Sequence, residues 1–272
     1  MSSIRSWLVA ALLAGVASHA AAATVPAPTS VYVEELTWTE LRDAIAAGKT
    51  TVIVPVGGTE QSGPHMVLGK HNVRARILAG RIAQGLGNAL VAPVIAYVPE
   101  GSIDPPAGHM RFAGTISIPE GAFEATLEAA ARSFRRSGFR DIVLIGDHGG
   151  YQKSLAKVAT KLDREWASSP VRVHAVEAYY LASDREFAAL LRKQGLSDAE
   201  IGTHAGAADT SLALAADPQL VRSARLHDGA APGAAEGVSG DPRRASAALG
   251  KAGLDLIVAR TRDAIAREVA RR

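Results

Sequence analysis

The chain has 272 residues, a formal net charge of +3, 8 histidines and no cysteine. The absence of cysteine excludes disulfides and thiolate chemistry, whether as nucleophile or as metal ligand. No stripe of basic residues interleaved with aromatics is present, which argues against nucleic acid as a partner, and no segment after the N-terminal one has the about 20 apolar residues that a bilayer span takes.

The first segment reads as an export signal. Arg5 supplies the positive start, Trp7 to Val16 the apolar middle, and Ala20-Ala21-Ala22-Ala23 the small residues, with cleavage expected near Ala22-Ala23. The periplasm is the expected compartment, with no membrane span after cleavage. Residues 24–272 are long enough for one large domain, and no linker or internal repeat divides them.

Thr39 is expected to cap a helix through Ala47, with Gly48 as its stop. Residues 51–56 form a buried strand. Asn72 is expected to cap a helix whose apolar face is Ile77, Leu78, Ile82 and Leu86, and residues 90–98 read as a second strand. The Gly- and Pro-rich segment 100–114 is a long loop of the functional kind. A helix follows over 119–137, with Pro119 in its first turn. Residues 141–145 are a short buried strand and 146–150 the turn after it. A helix over 151–166, a strand over 171–176 and helices over 184–194 and 206–216 come next. Residues 222–243 are irregular, and a long helix over 245–271 closes the chain. Strands alternating with helices predict a three-layer α/β/α sandwich with a mostly parallel central sheet.

Three polar clusters fall at or near strand-to-helix turns. Glu60 and His65 lie on the loop after 51–56, with His71 six residues further on; this mixture of carboxylate and imidazole suits hard and borderline metals. His148 stands in Gly146-Asp147-His148-Gly149-Gly150, where the glycines let backbone approach a ligand. His204 and Asp209 lie in His204-Ala205-Gly206-Ala207-Ala208-Asp209-Thr210-Ser211. On a parallel sheet all three clusters can meet at one edge. His174 and His227 read as structural or solvated.

These motifs resemble the creatininase family of metal-dependent amidohydrolases over roughly residues 50–250. The family's Glu-Gln-His-Gly-x-His-Leu-Pro is matched by Glu60-Gln61-Ser62-Gly63-Pro64-His65-Met66-Val67, with His71 where an Asp is expected. Its His-x-x-Phe-Pro-Gly-Thr-Ile is matched by residues 109–116, its Asn-Gly-His-Gly-Gly-Asn turn by 146–151, its His-Ala-Gly-x-x-Glu-Thr-Ser by 204–211 and its Gly-Val-x-Gly-Asp-Pro by 237–242.

The resemblance implies an α/β/α domain, hydrolysis of cyclic or linear amide C–N bonds, a centre of two divalent metals sharing a bridging Asp, and a homo-oligomer, often a hexamer. Glu60 and His148 match ligand positions, Asp209 stands for a Glu, and His204 matches a position implicated in proton transfer. Ser62 replaces a ligand His with a poor donor. His71 replaces the bridging Asp, and a neutral imidazole has one lone pair for a metal, so it cannot bridge two.

The expectation is therefore a single-ion site of Glu60, His71, His148 and Asp209, holding Zn, with Mn or Fe as alternatives. His204 would be the catalytic acid/base, His65 would orient a ligand, and His109 and Ser62 would sit nearby in the pocket. The expected function is a periplasmic hydrolase of an amide bond in a small molecule. The rivals are a non-catalytic small-molecule-binding or degenerate member, and a lactonase or esterase. Substrate contacts are expected from 99–114 and 222–243.

Overall fold

The computed structural model describes residues 30–226 and 232–270. The expected export signal and His227 lie outside them. Four strands form one sheet in the order β2-β1-β3-β4: β1 (Thr51–Val56), β2 (Ala89–Val91), β3 (Asp141–Gly146) and β4 (Arg172–Ala175). All three pairings are parallel, and β1 and β3 run in register from Thr51 beside Asp141 to Val56 beside Gly146.

Both faces of this sheet are covered, which explains why β1 and β3 read as unbroken apolar runs rather than alternating ones. Ile53, Val143 and Ile145 point to one layer, built from α2 (Lys70–Leu86), α8 (Ala207–Ala216) and α9 (Ala247–Ala270). Val52, Val54, Ile142 and Leu144 point to the other, where Phe123 and Leu127 of α3 (Glu120–Ser137) and Leu155 and Leu162 of α4 (Gln152–Glu165) complete the core. The predicted sandwich and parallel sheet are present. Among the described residues no helix is long and apolar enough to cross a membrane.

Several boundaries differ from the sequence expectation, each for a local reason. Helix α1 (Trp38–Ala46) is capped by Thr37, not Thr39, because Thr37 and Glu40 form a reciprocal capping box. Helix α2 begins at Lys70 behind Gly69. Asn72 therefore does not cap it; its side chain accepts the Gly58 N–H at 2.9 Å and donates to Thr59. Strand β2 stops at Val91 because Pro93 lacks a donor. The chain rejoins the sheet only at Ile95, beside Val56. Pro119 precedes α3 rather than entering it. The helix expected over 184–194 starts earlier, as α5 (Ala178–Leu181), and runs through a π-helical turn at Ala182–Glu186 into α6 (Phe187–Lys193). A further short helix, α7 (Asp198–Ile201), precedes the 204–211 segment.

Candidate metal centre and its charged surround

From β1 the chain crosses to β2 on one side, while β3 lies on the other. The carboxyl ends of β1 and β3 thus flank the point where the strand order reverses, the usual place for a ligand in an open α/β sheet. Glu60 leaves β1 there, and Asp147 and His148 leave β3. Tyr151 ties the two exits together: its hydroxyl receives the N–H groups of Asp147 and His148 and donates to the Gly57 carbonyl at 2.6 Å. The Gln61 N–H is held by Thr115 at 3.1 Å, which anchors the Glu60 loop to the end of the 100–114 loop.

Two groups of donors converge on Glu60. Glu60, Glu100 and His148 offer ligand atoms within 4.8 Å of one another, as do Glu60, His109 and His204. The Glu60 side chain is fully buried; its Oε2 lies 3.4 Å from His109 Nε2 and 3.7 Å from His148 Nε2. Glu100 Oε2 lies 3.7 Å from His148 Nδ1. Glu60 Oε2 and both oxygens of Glu100 are buried with no hydrogen-bond donor. Orphaned carboxylate oxygens of this kind are costly, and a divalent cation is a group that would satisfy all three. The donor set fits one.

The backbone is shaped for this approach. Gly58 has φ of +147°, and a Cβ there would stand 2.6 Å from Glu100 Oε1. Only glycine meets both conditions.

The other oxygen of Glu60 belongs to a closed circuit of charge. Oε1 accepts from His71 Nε2 at 2.7 Å, and His71 Nδ1 donates to Asp147 Oδ2 at 2.7 Å. Asp147 is also bound by Arg74, whose Nη1 reaches Asp209 Oδ1 at 2.7 Å. Asp209 Oδ2 takes Lys70 Nζ at 2.5 Å, and Lys70 Nζ returns to within 3.6 Å of Glu60 Oε1. Three carboxylates and three cations thus alternate around a ring. Tyr179 adds a hydroxyl to Asp147 Oδ1 at 2.6 Å.

The electrostatics follow from this arrangement. Burial and the Lys70 charge push the His71 pKa down, but the hydrogen bonds to Asp147 and Glu60 outweigh them and hold the imidazole protonated, above its ordinary range. Burial pushes the Glu60 carboxyl up, but the His71 hydrogen bond and the Lys70 charge keep it well below the usual carboxylate range. Asp209 is likewise held low by Lys70 and Arg74 against its burial. Glu100 goes the other way: burial, then the charge of Glu60, pushes it up to about 9, and the Lys70 charge only partly offsets them. Burial lowers His148 to about 4, and burial with the Lys70 charge lowers His204 to about 4.

Gln61 arranges the remaining histidines. Its Oε1 accepts the Gly63 N–H at 3.0 Å, which turns its amide nitrogen toward His109 Nδ1 at 2.8 Å. His204 Nε2 lies 3.0 Å from the Gln61 carbonyl and 3.2 Å from its amide nitrogen. The carbonyl contact is the shorter and takes Nε2–H as donor. This leaves His204 Nδ1 as the basic nitrogen, 3.7 Å from Glu60 Oε1.

Of the residues singled out by sequence, Glu60, His148, His109 and His204 are brought together. His71 lies beside them, but both its nitrogens are engaged by carboxylates, and Asp209 has both oxygens engaged by cations. Neither offers a free donor, and neither is in the two converging groups. His65 lies off the centre: it is buried, its Nε2 bonds Thr210 at 3.0 Å, and its Nδ1 has no partner. The Ser62 hydroxyl is buried without a partner. Sequence reasoning missed Glu100, whose signal was an acid opening the Gly/Pro-rich loop. It also missed Lys70, Arg74 and Asp147. His174 bonds Asp141 at 3.0 Å in the sheet, as a structural histidine would.

Comparison with known proteins gives a consistent set of likenesses. A family model described as "Creatininase: Creatinine amidohydrolase" matches residues 34–265. The creatinine amidohydrolase of Pseudomonas putida is 31% identical over 204 residues, 73% of this chain and 76% of that protein. The mycofactocin precursor peptide peptidase of Mycolicibacterium smegmatis is 32% identical over 211 residues, covering 74% and 78%. A crystal structure of creatininase superposes with a TM-score of 0.74 at 28% identity, over 89% of this chain and 99% of that one. A creatininase structure named for Mn gives 0.73 at 28% identity, covering 88% and 99%.

Proposed function

The chain belongs to the creatininase family, and from that premise we propose that it is a hydrolase of an amide bond in a small molecule that works with a single divalent ion. The named relatives are hydrolases, one of creatinine and one of a precursor peptide. The observation that carries the reading is the set of three donorless buried carboxylate oxygens on Glu60 and Glu100 beside His148. Glu60, Glu100 and His148 would hold the ion, with His109 as a further donor from the second group. His71 and Asp209, which the sequence placed among the ligands, leave the set because the ring engages them.

The ring also supports one ion rather than two. In the family pattern the Ser62 position holds a His that serves the second metal, and the His71 position holds the Asp that bridges it to the first. Here a protonated imidazole and the Lys70 ammonium bring positive charge to that side of Glu60. A second dication there would meet two cations instead of two ligands. Zn suits the mixed donors, with Mn or Fe as alternatives. A bound ion supplies carbonyl polarisation and a lowered water pKa.

The chain's own groups do the rest. Glu60, held ionised, keeps Oε2 turned into the centre. His204, kept neutral by burial with Nδ1 unprotonated, is placed to take a proton from the attacking water and return it to the leaving nitrogen. The C–N bond breaks, a C–O bond forms, and water supplies the hydroxyl to carbon and the proton to nitrogen. Arg5 and the apolar run after it support export to the periplasm, and the family supports a homo-oligomer.

Elemental analysis of protein isolated without chelator tests this. About one divalent ion per chain is expected, with turnover of at least one member of an amide panel. Finding no metal, and none taken up on addition, would sink it; metal without turnover of any amide would favour a binding protein.

A further inference from the structure

His109 and His204 stand with ring centroids 4.3 Å apart and form a partition between two cavities. On one side is a polar cavity of about 310 Å³, which also exposes His148 of the metal centre. On the other is a recess of about 210 Å³ walled by Phe112, Ala234, Gly237 and Val238. Arg111 sits at the rim of the recess with its Nε on the Gly108 carbonyl at 3.3 Å. The two histidines line both spaces, so a molecule whose reacting bond lies at the partition reaches into each.

The two spaces ask for different chemistry. In the polar cavity Lys70, Arg74, Asp147 and Asp209 are engaged with one another in the ring. Two polar groups are left without partners among the described residues. The Tyr180 hydroxyl has no hydrogen bond, and it lies where only a glycine at 149 leaves room: a Cβ there would stand 2.5 Å from it. The exposed Asp184 carboxylate forms no ion pair or hydrogen bond and lies at the junction with an outer groove. Both are carried by the α5–α6 segment around its π-helical turn, a feature often found at functional sites. An unpaired carboxylate beside an unpaired hydroxyl suits an ammonium group. The recess, in contrast, offers a phenyl ring and a buried valine, which suit a hydrocarbon group.

We propose that the substrate is an extended amide with an apolar substituent of several carbons on one side of the scissile bond and an amine-bearing substituent on the other. The apolar part lies against Phe112 and Val238, and the ammonium group lies at Asp184 and Tyr180. This rests on the hydrolase reading of the same centre, and it excludes a compact ring as the preferred substrate, since such a ring would fill only one of the two spaces.

The test is calorimetric binding, which does not depend on turnover. The probes are N-(2-aminoethyl)hexanamide and N-(2-aminoethyl)acetamide, with the reversed pair N-hexylglycinamide and N-ethylglycinamide. In at least one orientation the long-chain probe is expected to bind 10-fold or more tighter than its short partner, as about four buried methylenes allow. Phe112→Ser is expected to remove that advantage, and Asp184→Asn to weaken both amine-bearing probes about 5-fold while sparing the neutral N-propylhexanamide. Circular dichroism and thermal melts confirm that each variant is folded. Equal affinity at both chain lengths in both orientations, no binding of any probe at millimolar concentration, or indifference to both substitutions would overturn the proposal. Failure of the metal-centre reading would register separately, as protein without metal that still shows the chain-length preference.

Discussion

Glu60 and His71 share a 2.7 Å hydrogen bond in which a buried carboxylate meets a buried, protonated imidazole. The pair closes the ring through Asp147, Arg74, Asp209 and Lys70. Removing one member of a buried charge network strands its partners, which costs about 3–5 kcal/mol. His71→Ala is therefore expected to lower the unfolding free energy by about 3 kcal/mol in urea titrations. Because the folded pKa of His71 is raised, its contribution is complete below the ordinary histidine pKa and fades as pH climbs through the raised value. Wild-type stability should fall on the alkaline side, and the variant should show less of that fall; a variant as stable as wild type would remove the ring from the account of the fold.

Glu100 behaves oppositely to the ring carboxylates. Its carboxyl is pushed up to about 9 from an ordinary value of 4.5, so the stability it contributes is present below pH 4.5 and lost as pH rises toward 9. At pH 8 Glu100→Gln should stabilise the metal-free protein by about 1–2 kcal/mol, since it removes a buried acid that lacks a donor. The same change should abolish tight metal binding. Melting curves with and without added Zn read both effects: wild type should gain stability from Zn by mass action, and the variant should not.

His148 and His204 are lowered to about 4. Bases with depressed folded pKa values destabilise the native state as pH falls from 6.5 to 4, because the unfolded chain takes up protons that the native site refuses. Each can cost up to about 3 kcal/mol over that window. Urea midpoints of the metal-free protein at pH 7 and pH 4.5 should differ accordingly. The double variant His148→Gln/His204→Gln should lose part of the difference, and an unchanged pH slope would contradict the assignment of both as neutral bases.

His204→Gln keeps the contact to the Gln61 carbonyl and removes the basic Nδ1. It is expected to lower kcat by about 10²–10³ while leaving the metal content of the isolated protein unchanged. A parallel loss of metal would instead mark His204 as a ligand.

Gly58→Ala places a methyl where Glu100 Oε1 stands, on a backbone with φ of +147°. Zn affinity should fall at least 10-fold. Retained affinity would mean that Glu100 is not needed to hold the ion.

Much of the scaffold was legible in the sequence because apolar periodicity and turn chemistry are local. The strands at 51–56 and 141–146 and the helices behind them emerged with small boundary errors, and β2 was overextended because Pro93 was read through. Glu60, His148, His109 and His204 were legible from residue type and motif. The ring was not. Lys70 and Arg74 carry no local signal of their role, because their partners Asp147 and Asp209 stand 73–139 residues away along the chain. Asp209 read as a metal ligand for the same reason: a carboxylate's role depends on which cation reaches it, and that is set by tertiary packing. Glu100 was hidden in a loop whose path depends on Gly58 and Ser117.

The ring has a consequence for the order of assembly. Small metal-dependent folds often cannot form until their ion arrives, since their ligands have no other counter-charge. Here Glu60, Asp147 and Asp209 find theirs in Lys70, His71 and Arg74, side chains carried by the first turns of a single helix. The ring is complete once α2 has docked on the sheet and α8 has brought Asp209 to it, which leaves Glu60 Oε2 and the Glu100 carboxyl turned to the centre without donors. On the proposed reading, folding and loading are thereby uncoupled, and metal-free protein is expected to reach the native fold before it takes up an ion.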